Sequence, residues 1–323
     1  MIFLCGISSE TPLRLVRESL DEQNTPYVLF HQRDFARTDI WMEVDSKGVR
    51  GEFVQGSKVY RLEDFDAAYI RMMDDRVLPE LAGEEPDSQL RQRCRSLHDT
   101  LTRWLEIAPG RIVNRAAPQG SNFSKPYQAQ LIQRHGFFAP ETLITNEPEL
   151  VKEFHQKHKT VIYKSISSIR SIVQTLTEED YPRLDCIRWC PTQFQAFVPG
   201  TNLRVHTIGS QAFAVAINCD ATDYRYAARQ TGEAAALREV ELSEELAERC
   251  CNLSRALGLD LAGIDLKVTP DDEVYCFEVN PCPAFSYYEL STGQPIARAI
   301  ADYLAFREPS AVNASLGCEA VCA

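Results

Sequence analysis

No apolar run in the chain approaches the length of a membrane-spanning helix, so no membrane partner is expected. Basic excess is lacking as well. Lys and Arg number 34 against 46 Asp and Glu among 323 residues, a formal net charge of −12. That total disfavours a general nucleic-acid surface, while a local basic pocket for phosphates stays compatible with it. No basic leader precedes the short apolar start MIFLCGI, which polar residues follow at once. It reads as a first strand rather than a signal peptide, and a cytoplasmic protein is expected. There is no internal repeat. The eleven cysteines are odd in number and irregular in spacing, which argues against a disulfide framework and for reduced thiols. Cys186 with Cys190 and Cys318 with Cys322 have spacings that could gather zinc, but isolated cysteines are more often small core residues.

What is present is an ordinary globular composition, 44% apolar and 25% charged, with enough length for two or three compact units. The first 108 residues read as an α/β unit. Strands are expected at Ile2–Leu4 and Tyr27–Phe30, with a helix over Thr11–Glu22 that carries Leu13, Val16 and Leu20 on one face. A hairpin or meander over Ile40–Val59 precedes a strand at Ala67–Arg71. The acidic stretch Met72–Gln89 reads as a loop, and Leu90–Ile107 as a helix. Arg71 either meets an acidic group or caps local structure.

Two apolar runs near the C-terminus each carry an acid. Leu261–Leu266 and Val274–Val279 flank the turn Thr269-Pro270-Asp271-Asp272, so a hairpin is expected. Asp265 and Glu278 then share one face, with Asn280 two residues beyond Glu278 on the same side. Three oxygen ligands suit Mg²⁺, which keeps waters and binds substrate phosphates. On this stretch alone a metal site and a solvated sheet edge are equally good readings. Upstream, Ser121–Gly136 reads as a capped helix that opens with Lys125. A cation at that end is ill placed for the helix dipole and suited to a phosphate. Lys164 ends a strand over 160–164, and Phe194–Val198 makes another short strand. Further helices are expected over Leu242–Leu257 and 291–306.

The run Phe277-Glu278-Val279-Asn280-Pro281, the segment Asn122–Lys125 and the stretch Asn202–Gly209 resemble the ATP-grasp superfamily. The likeness covers roughly residues 112–306 and is closest to ribosomal-protein glutamate ligases and microviridin-type peptide-cyclising ligases. It implies an α/β ATP-grasp fold behind an N-terminal pre-grasp α/β domain (1–108). A central subdomain with the lid (109–195), a C-terminal subdomain with the metal site (196–308) and a peripheral tail (309–323) follow.

ATP and Mg²⁺ are the implied cofactors. Lys125, Lys164, Ser165, Gln195, Ala196, Phe197, Val198 and Arg204 are the implied nucleotide contacts, adenine being read by the backbone of 196–198. Asp265, Glu278 and Asn280 are the implied metal ligands, and Arg204 and Arg225, the latter in Asp223-Tyr224-Arg225, the catalytic cations. Two departures stand out. The lid segment SISSIRSIVQTL has no glycine, leaving Ser165, Ser167, Ser168 and Arg170 as its polar groups. Ala196 stands where an acidic residue is common. The implied activity is ATP-dependent carboxylate–amine ligation through an acyl phosphate on an amino acid, peptide or peptide-like substrate, with a precursor peptide as one candidate. Ester-forming peptide cyclisation and a nucleotide-binding regulator without turnover are the alternatives, and a homo-oligomer is left open.

Overall fold

The computed structural model describes residues 1–166, 173–218 and 236–307. The chain opens β1 (Ile2–Gly6), α1 (Thr11–Glu22) and β2 (Tyr27–His31). A three-stranded antiparallel meander follows, β3 (Thr38–Asp45), β4 (Gly48–Gln55) and β5 (Lys58–Arg61), and then β6 (Ala67–Arg71), α2 (Gln89–Ile107) and β7 (Arg111–Val113). The first sheet is parallel with order β2-β1-β6-β7. Strand β7 closes this sheet and carries it past residue 108, with Ala68 opposite Ile112.

Leu13, Val16 and Leu20 sit at helical spacing and are fully buried, each stabilising the packed α1 by about 1.5–3 kcal/mol. The expected loop over 72–89 contains two short 3₁₀ turns, Asp75–Val77 and Pro79–Leu81. They bury Leu78 and Leu81 in the core beneath α2. Two isolated leucines in an acidic stretch give no periodicity, so only the tertiary packing reveals them.

Next come α3 (Ala116–Gln119), α4 (Lys125–Arg134), β8 (Thr142–Thr145), α5 (Pro148–His158), β9 (Val161–Ser165), β10 (Gln174–Thr175) and β11 (Thr192–Ala196). Their antiparallel sheet has order β10-β9-β11-β8. The last part holds β12 (Thr201–Ile208), β13 (Gln211–Asn218), β14 (Ala236–Val240), α6 (Glu244–Ala256), β15 (Leu261–Val268) and β16 (Val274–Asn280). The chain then forms α7 (Ser286–Thr292) and α8 (Ile296–Leu304), and this sheet runs β14-β13-β12-β15-β16.

Contrary to the expected capping, Ser124 makes no side-chain hydrogen bond to α4; Gly136, at φ +78, supplies the left-handed conformation that ends the helix. The helix expected over 291–306 is found as α8, which begins only at Ile296, and a separate helix, α7, precedes it. Gly293 adopts φ +80 after α7, and Pro295 follows before α8 begins. Helix α8 shares a core with α1 and β1, through Ile296, Ile300 and Leu304 against Leu13, Val16 and Leu4.

Two buried amides fix the strand pair that carries the acids. Asn114 donates to the carbonyls of Leu261 and Pro281, both at 2.6 Å, and accepts from the N–H groups of Asp260 and Leu261. Gln128 of α4 donates to the Val279 carbonyl and accepts from the Val279 N–H, at 2.8 and 2.9 Å. Asn114→Ala is expected to lower stability by roughly 3 kcal/mol, because several backbone groups lose their partner inside the protein. The check is a reduced denaturant midpoint at unchanged slope.

Candidate nucleotide and metal site

The acids meet as the alternation requires. In the β15–β16 ladder Asp265 lies opposite Glu278 and Gly263 opposite Asn280, with a register irregularity after Asp265. Glu278 receives Lys125 from the start of α4, at 2.6 Å, and Lys164 from β9, at 3.8 Å. Lys125 also donates to Asn122 Oδ1 at 2.9 Å. Burial pushes the Glu278 carboxyl up, and the charges of Lys125 and Lys164 outweigh it, so the group is held below its ordinary value. A carboxyl with a depressed folded-state pKa contributes stability above its ordinary pKa and loses it as pH falls through the depressed one. In Lys125→Met burial is less opposed, so that loss is expected at higher pH, visible in melting temperature against pH.

Arg204, on the central strand β12, is cross-strand from Asp265 and donates to its Oδ1 at 2.7 Å. The guanidinium lies over the backbone of Gly263, where a Cβ would overlap it. This explains a glycine in the interior of β15. Behind Arg204 sits His206, fully buried, with Nε2 at 3.4 Å from the Arg204 Nε and the Tyr288 ring edge-on at 4.9 Å. Burial, with the Arg204 charge beside it, pushes the imidazole well below its usual value. His206 is therefore neutral and accepts from the guanidinium.

The two antiparallel sheets enclose a narrow cleft of about 110 Å³, in which Ile162 and Lys164 of one face Asp265, Lys267, Phe277 and Glu278 of the other. Gln195, Phe197 and Val198 also line it. Among the hinge backbone groups, the Ala196 N–H donates to the Glu141 carbonyl and the Phe197 N–H to the Thr160 carbonyl. Lys267 Nζ reaches the Val198 carbonyl at 3.0 Å and lies over the Phe197 ring. Adenine recognition by N–H groups at 196 and 197 would have to displace these bonds. Ser165 ends β9 opposite Thr192.

Sequence reasoning had not singled out Lys267, although it lies two residues beyond Asp265 on the same strand. Alternation was the signal available for it. Arg71, for which two readings were open, makes a structural bridge. It pairs with Glu10 at 2.5 Å and donates to the Pro283 carbonyl at 3.1 Å, tying the first sheet to the loop after Asn280. Cys186 and Cys190 are exposed and unbonded. Arg225, the lid residues Ser167, Ser168 and Arg170, the tail 309–323, and with it Cys318 and Cys322, lie outside the described residues.

The donor set fits a hard cation. Asp265 and Glu278 supply carboxylates, and Asn280 Oδ1, which accepts the Cys282 N–H at 2.9 Å, keeps lone-pair capacity. Among the described residues no three His, Cys, Asp or Glu side chains gather. A cation here would complete its shell with phosphate and water, as Mg²⁺ does.

Comparisons with known proteins bear on the fold and the family. A curated relative, the "Probable alpha-L-glutamate ligase" of Parasynechococcus marenigrum, is 24% identical over 270 residues, covering 78% of this chain and 55% of its own length. The chain thus spans little more than half of that relative. Among solved structures, macrocyclase MdnC of Microcystis aeruginosa, bound with precursor peptide MdnA, superposes with a TM-score of 0.77 at 23% identity. The match covers 94% of this chain and 99% of that one. The RiPP-associated ATP-grasp ligase of Chryseobacterium gregarium, in complex with ADP and a leader and core peptide, gives 0.81 at 21% identity, covering 98% and 99%. These structural likenesses carry the fold. The model of the ATP-grasp domain matches residues 124–285, half of the chain, from the residue before Lys125 to the loop beyond Asn280. The chain belongs to the ATP-grasp family.

Proposed function

We propose that the protein is an ATP- and Mg²⁺-dependent ligase that activates a carboxylate of a peptide and closes a bond within that peptide. The observation that carries the reading is the pairing of Lys125 and Lys164 with Glu278 and of Arg204 with Asp265, the two acids standing opposite each other in the β15–β16 ladder. Bound there, Mg·ATP would supply the γ-phosphoryl group that turns a substrate carboxylate into an acyl phosphate. Asp265, Glu278 and Asn280 would hold the metal, and Lys125 and Lys164 would neutralise phosphate charge as compact cations. Arg204, seated on Gly263 and backed by His206, presents a fixed fork of donors to the oxygens of the group in transfer. No protein nucleophile is required, since a substrate hydroxyl or amine attacks the activated carbonyl.

Full-length likeness to a macrocyclase bound with its precursor peptide and to a ligase holding leader and core peptides supports cyclisation over joining two separate small molecules. The second reading, amide formation on an amino acid, is supported by the name of the curated relative. Incubation with ATP, Mg²⁺ and a candidate precursor peptide tests both. Cyclisation predicts loss of one water mass per bond, with hydroxylamine cleaving an ester and sparing an amide. Addition of a free amino acid to the peptide would instead support the second reading, and ATP binding without any product would favour a regulator.

A further inference from the structure

Beside the proposed nucleotide cleft lies a second, larger chamber of about 340 Å³. Its floor is one face of the β8–β11 ladder, where Thr142 stands opposite Gln195 and Ile144 opposite Gln193. Ala129 and Ile132 of α4 and Cys276 and Phe277 of β16 complete its apolar wall. Lys125, Gln195 and Phe277 connect it to the reaction site, Gln195 and Phe277 lining both spaces.

One polar group in this chamber is left unsatisfied. Gln195 donates to Thr142 Oγ1 at 3.0 Å. Gln193, two residues earlier on the same face, stands between Ile144 of β8 and Lys164 of β9. Its side chain is 3% exposed, and its Oε1 has no hydrogen-bond partner. A buried amide oxygen without a donor is an uncommon and costly arrangement. The volume lies within the range of small-molecule pockets, which pair apolar walls with a few polar groups.

We propose that this chamber is a binding site for a small, flat, mainly apolar molecule carrying one N–H or O–H donor, which bonds Gln193 Oε1 while ATP occupies the neighbouring cleft. Such a ligand contacts the faces of Phe277 and Gln195 turned away from the nucleotide. The two sites are therefore coupled through shared side chains, and whatever the ligand does to ATP affinity, ATP does to its affinity in equal measure.

Indole, a flat apolar molecule with a single N–H donor, is a suitable probe. Titrated by calorimetry into the full chain held at saturating Mg·ATP, it is expected to bind saturably at one site. Gln193→Leu is expected to weaken that binding at least tenfold, and Ala129→Phe, which fills the chamber, to abolish it. Mg·ATP affinity measured in parallel reports that each variant is folded and that the nucleotide site is intact. If Ala129→Phe loses Mg·ATP binding, Gln193→Leu with its Gln193→Glu counterpart decides alone, the carboxylate retaining an acceptor for the donor. No indole binding, binding that ATP competes away, or binding indifferent to Gln193→Leu would overturn the proposal. None of these outcomes depends on ligase turnover, so failure here is distinct from failure of the proposed function.

Discussion

Glu278→Gln is expected to lower turnover about 10³-fold, the scale seen when one preorganised electrostatic group is removed from a reaction site. The substitution keeps shape and removes charge. Glu278 is the point where α4, β9 and β16 meet, since Lys125 and Lys164 both address its carboxylate while Asp265 stands directly across the ladder. Loss of the charge would remove a proposed metal ligand and the carboxylate that Lys125 and Lys164 both address. Breaking a buried pair on one side costs about 3–5 kcal/mol; partial exposure of Glu278, 26% at the side chain, puts this site at the low end. Single-turnover kinetics beside a melting curve separates the two effects. A variant that stays folded and retains turnover within tenfold of the parent would move the metal away from this strand pair.

Arg204→Lys is expected to reduce kcat about 10²-fold with little change in KM for ATP, because an ammonium cannot reproduce the planar fork. The geometry makes the effect specific. Arg204 is held on three sides, by the Asp265 carboxylate, by the neutral His206 nitrogen and by the bare backbone of Gly263. Gly263→Ala should mimic part of the loss by displacing the guanidinium. Since both changes act on one group, the double variant is expected to be no worse than Arg204→Lys alone, and the double-mutant cycle measures that non-additivity. A raised KM for ATP at unchanged kcat would assign Arg204 to ground-state binding instead.

Much of this site was legible in the chain itself. Alternation about a polar turn put Asp265, Glu278 and Asn280 on one face before any coordinates. A lysine at a helix start is ill placed for the helix dipole, which singles out Lys125, whereas Lys164 is an ordinary strand-end lysine that only the family resemblance singles out. The rest depends on pairing across the fold. Asn114 and Gln128 are ordinary amides in sequence, and their value comes from strand edges about 150 positions away. His206 and Tyr288 become visible only once Arg204 has been placed between them and Asp265. Gln193 and Ile144 face each other through a register that no local pattern encodes. The short strand Arg111–Val113 pairs with β6 of the first sheet, and so few residues carry no local signal of that partner.

The central claim, that two late strands hold magnesium beside a nucleotide, is tested most directly by isothermal titration of ATP with and without Mg²⁺. The parent chain and the Asp265→Asn/Glu278→Gln double variant are compared. Affinity that rises with Mg²⁺ in the parent and ceases to respond to it in the variant is the predicted result; equal ATP affinity with and without the metal in the parent would contradict it.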